Sequence, residues 1–269
     1  MGRVKIDSLF TSEGAMSGMD WLVWRVPARR IACLALLSLS GLVPVRAQVA
    51  VDGTRVIFPA GAGEVTVGIQ NRSEQPALVQ AWIGGEDAKL SPEASTAPFV
   101  VAPPLLRLDA GKDQRLRVRL IRDRAPDDDR EHMYWLNILA APPQSAAADD
   151  ENLLQVAIRS RFKVLYRPSA LAASLPANFA ERMTFAMRRS VSGLELVISN
   201  PTPYHFNLGQ LAVALDGKLL PLDNPYVAPF SERSVPLPAE AANGVSSVKF
   251  AWLDDNGQLQ AGSRQLESP

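Results

Sequence analysis

LLQVAIRSRFKVLYRP (Leu153–Pro168) alternates position by position. Its even-numbered residues Leu154, Val156, Ile158, Phe162, Val164 and Tyr166 are apolar or aromatic, interrupted by Ser160. Gln155, Arg159, Arg161, Lys163 and Arg167 stand at odd positions. A period of two marks a β-strand with one apolar and one polar face. The run is well beyond the ~5–6 residues of an ordinary strand. No proline falls between Asn152 and Arg167, so every position could join a ladder of main-chain hydrogen bonds.

Similar runs flank it. VAVDGTRVIFPA, EVTVGIQNRS and ALVQAWIGG come first, then FVVAPPLLRLDAGKDQRLRVRLI with a diproline and a DAGKD turn. In the last of these, Leu116, Val118 and Leu120 interleave with Arg115, Arg117 and Arg119, which read as a solvated strand face. MYWLNILA is an apolar strand, and PPQSAAADDEN is the loop that leads into the long alternating run. Turn residues recur between the runs and no 3.6-residue period emerges, so an all-β sandwich of seven strands is expected.

After Pro168 the texture changes. PSALAASLPANFAERM is poor in β-branched residues and reads as a connector plus a first strand. GLELVISNPTPYHFNLGQLAVALDGK reads as strands broken by a proline corner, and SERSVPLP and VSSVKFAWLDDNGQ as two more. The prolines at 201, 203, 221, 225, 229, 236 and 238 belong at edges, bulges and corners. A boundary near Arg167–Ser169 is expected, dividing the chain into domains 48–167 and 168–269.

The N-terminus carries a different signal. RVPARR (Arg25–Arg30) is a basic segment, and IACLALLSLSGLV (Ile31–Val43) is apolar but short of the ~20 residues of a membrane span. Val45-Arg46-Ala47 places small residues at the −3 and −1 positions of a cleavage site. Residues 1–47 therefore read as a secretory signal peptide cut after Ala47. The stretch before it is unusual ahead of a signal, and Met19 is an alternative start.

Composition narrows the chemistry. Basic and acidic residues balance at 28 each, which gives no general pull toward nucleic acid or membrane surfaces. The one cysteine, Cys33, lies in the leader, so the exported chain has no thiol nucleophile, thiolate metal site or disulfide. His132 and His205 are the two histidines and lie in no zinc-binding spacing. Asp127, Asp128, Asp129 and Glu131 lack the alternate-ligand pattern of a calcium loop and read as a solvated acidic turn. Neither an enzyme nor a cofactor or metal protein is indicated.

GTRVIFPAG, APPLLRLDAG, DREHMYWLNI, LLQVAIRSRFKVLYRP and SNPTPY, in this order, resemble the successive signatures of periplasmic pilus chaperones of the chaperone–usher pathway. The resemblance implies two immunoglobulin-like β-sandwiches with a cleft between them, in a periplasmic, non-enzymatic protein. It implies that Arg55 and Lys163 grip the C-terminal carboxylate of a pilus subunit. By the same resemblance Leu154, Val156 and Ile158 fill the subunit's groove, and Glu131, Arg167 and Asp255 form an interdomain ion-pair group, with Asp254 as the adjacent alternative. The short loop Pro142–Asn152 without a cysteine pair resembles the short-loop branch. Pilus subunits and an outer-membrane usher are the implied partners, and self-capping dimerisation through the exposed strand is left open. A structural or adhesin-like fibre subunit is the alternative, although such subunits carry a donor segment at the N-terminus, whereas the alternating run here is mid-chain.

One feature of the pattern resists this scheme. Lys163 has odd parity and the groove residues even parity, so a regular strand points them to opposite faces. A bulge or strong twist near Arg159–Arg161 would bring them together.

Overall fold

Every strand pairing among the described residues is antiparallel except one, between Arg55–Pro59 and Lys163–Arg167. The structure is a computed structural model and describes residues 49–87, 91–143, 156–191 and 193–266. The leader, Leu154 and most of the loop Pro142–Asn152 lie outside the described residues. No α-helix occurs among the described residues, and no helix there is long and apolar enough to cross a membrane.

The first sandwich is built from β1 (Val49–Val51), β2 (Arg55–Pro59), β3 (Glu64–Asn71), β4 (Ala77–Gly84), β5 (Phe99–Ala102), β6 (Leu105–Leu108), β7 (Asp113–Leu120), β8 (His132–Ala141) and β9 (Ile158–Arg167). One sheet has the order β1-β3-β7-β5 and the other β2-β9-β8-β4-β6. Nine strands replace the expected seven because two sequence runs each split and change sheets. In the first run the break is Asp52–Thr54, where Gly53 adopts φ 82°, a conformation that favours glycine. In the second it is Pro103–Pro104, two residues with no N–H to give a ladder. Phe58, Val79, Leu116, Val118, Leu136 and Val164 are fully enclosed between the sheets. Arg115, Arg117 and Arg119 lie on the outer, solvated face of β7.

The second sandwich contains β10 (Thr184–Ser190), β11 (Gly193–Asn200), β12 (Phe206–Leu215), β13 (Lys218–Pro221), β14 (Tyr226–Val227), β15 (Ser231–Pro236), β16 (Ser247–Leu253) and β17 (Leu259–Gln265). Its sheets are β10-β11-β15 and β13-β12-β16-β17, with β14 also on β12. Residues 168–183 hold no strand, contrary to expectation. They form a connector whose 3-10 turn, Phe179–Arg182, buries Phe179 in the second core. Pro221 and Pro236 end the edge strands β13 and β15, where a missing N–H costs no ladder bond.

Both sandwiches use the same corner. Asn71 at the end of β3 donates from Nδ2 to the carbonyls of Gln75 and Leu108, and its Oδ1 accepts from Ser73. Asn200 at the end of β11 donates to the carbonyls of Tyr204, Val227 and Ala228, and its Oδ1 accepts from Thr202. A buried asparagine satisfies the free main-chain groups that a turn leaves behind. The second corner fixes where His205 and Asn207 leave it for β12.

β9 keeps an unbroken register against β8, from Tyr166↔His132 to Ile158↔Ala140. The suggested bulge near Arg159–Arg161 is absent, so Lys163 and Ile158 do point to opposite faces. The even-numbered face runs outward from the core. Tyr166 and Val164 are buried and Phe162 half-buried, then Ile158 is 43% and Val156 57% exposed. Val156 and Ala157 lie ahead of the strand. The apolar ribbon is therefore a core face that continues past the end of its own core.

Candidate functional site

β2 pairs with β9 only from Lys163 onward. Among the described residues, Ile158–Phe162 has β8 on one side and no strand on the other, which leaves an open edge five residues long. Unpaired edges attract further strands. Arg55 is the first residue of β2 and stands opposite Lys163, so the two cations sit where the open edge stops.

Lys163 lies on the outer face of its sheet between Arg55 and Trp135, its register partner on β8. Its Nζ is 5.8 Å from the Trp135 ring centre and 4.7 Å from that of Tyr226, and it donates to Asn207 Oδ1 at 2.5 Å. Arg55 Nη1 donates to the Leu253 carbonyl at 3.1 Å. Each cation is thus held by a neutral acceptor from the second sandwich. Neither has a carboxylate within salt-bridge distance among the described residues, and Arg55 Nε is buried without a partner. Burial, and secondarily the Arg55 charge, pushes Lys163 down to about 8. Burial also lowers the Arg55 guanidinium, against the opposing pull of Asp255, Asp254 and Glu131. Two partly desolvated cations side by side, one with an orphaned donor, form a site suited to an anion.

The loop after β4 closes over this region. Arg161 Nη2 donates to the carbonyls of Gly85 and Glu86, and the Tyr226 hydroxyl donates to the Glu86 carboxylate. Burial and the Glu86 contact push the Tyr226 hydroxyl up to about 12. Arg159 and Arg161 stack on Trp82 and Trp135 at 4.7 and 4.5 Å.

Glu131, Arg167 and Asp255 come together at the junction. Arg167, 1% exposed, donates from Nε to Glu131 Oε2 at 2.8 Å and from Nη1 and Nη2 to Asp255 at 2.9 and 2.6 Å. Burial alone would lower the Arg167 pKa, but the hydrogen bond to Asp255 and the two carboxylate charges raise it. Arg167 Nη1 also donates to the Ala173 carbonyl, and Leu175 N to Asp255 Oδ2, so the group ties the connector to both sandwiches. Asp254 plays another part: it accepts from Asn256, Gln258 and Gln260 and closes the turn after β16. Glu131 is not part of a solvated acidic turn. It is 2% exposed, and its Oε1 faces the His205 backbone N–H and Nδ1, both at 2.9 Å.

Asn207, Tyr226, Trp135, His205 and Glu86 were not singled out for this site from sequence. The nearest signal was SNPTPY, whose Asn200 and Thr202 shape the corner that presents His205 and Asn207. Leu154 lies outside the described residues.

The comparisons with known proteins agree with one another. Residues 48–172 match "Pili and flagellar-assembly chaperone, PapD N-terminal domain", and residues 178–264 match "Pili assembly chaperone PapD, C-terminal domain". The chaperone protein FimB/FhaD of Bordetella pertussis is 38% identical over 233 residues, 84% of this chain and 92% of that protein. The CupB2 chaperone of Pseudomonas aeruginosa superposes with a TM-score of 0.67 at 30% identity, covering 81% of this chain and all of that one. The SafB chaperone of Salmonella enterica, solved in complex with the SafA pilin, gives 0.65 at 28% identity over 81% of this chain and 96% of that one. With two immunoglobulin-like sandwiches and both family domains matched in order, this chain belongs to the PapD family of pilus-assembly chaperones.

Proposed function

We propose that the protein binds pilus subunits in the periplasm by adding the open edge of β9 to an incomplete subunit sandwich. The carrying observation is the register boundary: β2 stops pairing at Arg55↔Lys163, where β9 becomes free. A subunit strand seated there lies in line with β2 and parallel to β9, and its C-terminal carboxylate abuts Arg55 and Lys163. Main-chain bonds along the edge supply affinity, while Val156 and Ile158, with Leu154 beyond them, fill the groove. The opposite parity of anchor and groove residues suits this geometry. The apolar residues complete the subunit's core on one face, and the terminal carboxylate turns out of the sheet plane toward the cations on the other. The anchor also sets register, since a slip of one residue would turn the apolar set outward.

Residues 1–47 would export the chain and be removed after Ala47. Domains 48–167 and 168–269 would meet at the cleft, with Glu131, Arg167 and Asp255 fixing their junction. The short loop Pro142–Asn152 without flanking cysteines in the sequence supports membership of the short-loop branch. Loaded subunit passes to an outer-membrane usher, where another subunit's extension replaces the borrowed strand. Pull-down of the mature chain from periplasm, with mass identification of what it holds, tests the reading. Incomplete pilus subunits are expected, and a chain that captures none of them overturns it.

A further inference from the structure

Among the described residues, Lys163 donates to Asn207 Oδ1 at 2.5 Å. Asn207 is 2% exposed on β12, and its Nδ2 donates to the His205 carbonyl at 3.3 Å. That second bond fixes the amide orientation. An ammonium can only donate and a carbonyl can only accept, so the oxygen must face Lys163 and the nitrogen His205. Asn207 therefore reaches from the second sandwich and holds a cation of the first.

We infer that Asn207 is the positioning residue of the carboxylate anchor: its neutral carbonyl pins the Lys163 ammonium at the end of the open edge without quenching its charge. The inference rests on the anchor reading above. Without Asn207, the flexible lysine has the faces of Trp135 and Tyr226 as its remaining contacts. With a carboxylate at position 207, Lys163 would hold its counter-ion before a subunit arrives. A neutral, rigid acceptor avoids both outcomes. Leu253 does the same for Arg55 through its main-chain carbonyl, 3.1 Å from Nη1. The charged and titratable groups around Lys163 are Arg55 on β2, Arg161 on β9, Tyr226 on β14 and, through Tyr226, Glu86 in the loop after β4. Asp255 and Asp254 beyond β16, and Glu131 ahead of β8, act through Arg55. None supplies the directed contact that Asn207 makes.

The test uses the full mature chain and a synthetic peptide of alternating valine and threonine, made with a free C-terminal carboxylate and as its amide. The wild type is expected to prefer the free acid. Asn207→Asp, which preserves size, should weaken free-acid binding about tenfold or more, an energy scale of one ordinary ion contact, and leave amide binding unchanged. Lys163 in Asn207→Asp, followed by side-chain NMR, should titrate above its wild-type midpoint. Asn207→Ala should lose part of the preference, and Asn207→Ser, which restores an oxygen acceptor, should recover some of it. If wild type and both the Asp and Ala variants prefer the acid equally, with Lys163 titrating alike, the positioning role is wrong while the anchor stands. If the wild type itself does not distinguish acid from amide, the anchor falls and this inference with it.

Discussion

Arg55 and Lys163 stand opposite each other in the one parallel strand pair of the described chain, at the position where a closed sheet becomes an open edge. Each is braced by the second sandwich, through the Leu253 carbonyl and the Asn207 side chain, so the anchor depends on how the sandwiches meet.

Replacing either cation should therefore cost capture more than fold. Arg55→Ala or Lys163→Ala is expected to weaken subunit binding by about 2–5 kcal/mol, the range for a buried charge partner. The circular dichroism spectrum should not change. Co-purification with subunits measures the first effect, and undiminished co-purification would remove the anchor from the account.

Lys163 also gives two pH dependences of opposite sign. Burial, then Arg55, holds it at about 8 in the folded chain, below its ordinary 10.5. Between those values the unfolded chain binds the extra proton, so stability rises with pH across that window. Below it, the lysine costs stability. Carboxylate capture needs the ammonium, so affinity should fall as pH rises past about 8, and it levels off only above the higher value that a bound carboxylate gives the lysine. Lys163→Met should flatten both slopes and be no less stable than wild type near neutrality. Urea unfolding and binding, each measured on both sides of the midpoint, check these signs.

The ion-pair group should behave in the opposite way. Arg167 is buried between Glu131 and Asp255, so Arg167→Met leaves Glu131 as an uncompensated buried charge. A loss of about 3–5 kcal/mol is expected. Because the group also binds the connector at Ala173 and Leu175, denaturant unfolding should separate into two transitions, one per sandwich. A single transition at the wild-type midpoint would show that the group does not hold the junction.

Position along β9 should decide what a charge does. Ile158→Asp, at a site 43% exposed, is expected to abolish binding while shifting monomer stability by less than about 1 kcal/mol. Val164→Asp, on the same face but fully enclosed, should unfold the first sandwich. Thermal melts of the two variants check the contrast.

The all-β class was legible in the alternating runs and the spacing of turn residues, and the two cations stood out within recognisable motifs. The number of strands was not, because Gly53 and Pro103–Pro104 redirect runs whose alternation looks continuous. Nor could β9 reveal where it stops being core. That depends on how far β2 follows it, which is a fact about residues more than 100 positions away. The contacts of Lys163 were hidden for the same reason, since Asn207 and Tyr226 reach it from another sandwich. The alternation of β9 does place Lys163 and Ile158 on opposite faces, and the unbroken register against β8 has no bulge to bring them together.

The most direct measurement is amide hydrogen exchange along Ile158–Phe162, in the free mature chain and in its purified complex with a subunit. Edge-facing amides at alternate positions should exchange readily in the free chain and become protected in the complex, while protection of Lys163–Arg167 against β2 stays unchanged. Equal exchange at Ile158–Phe162 in both states would mean that no strand is added there.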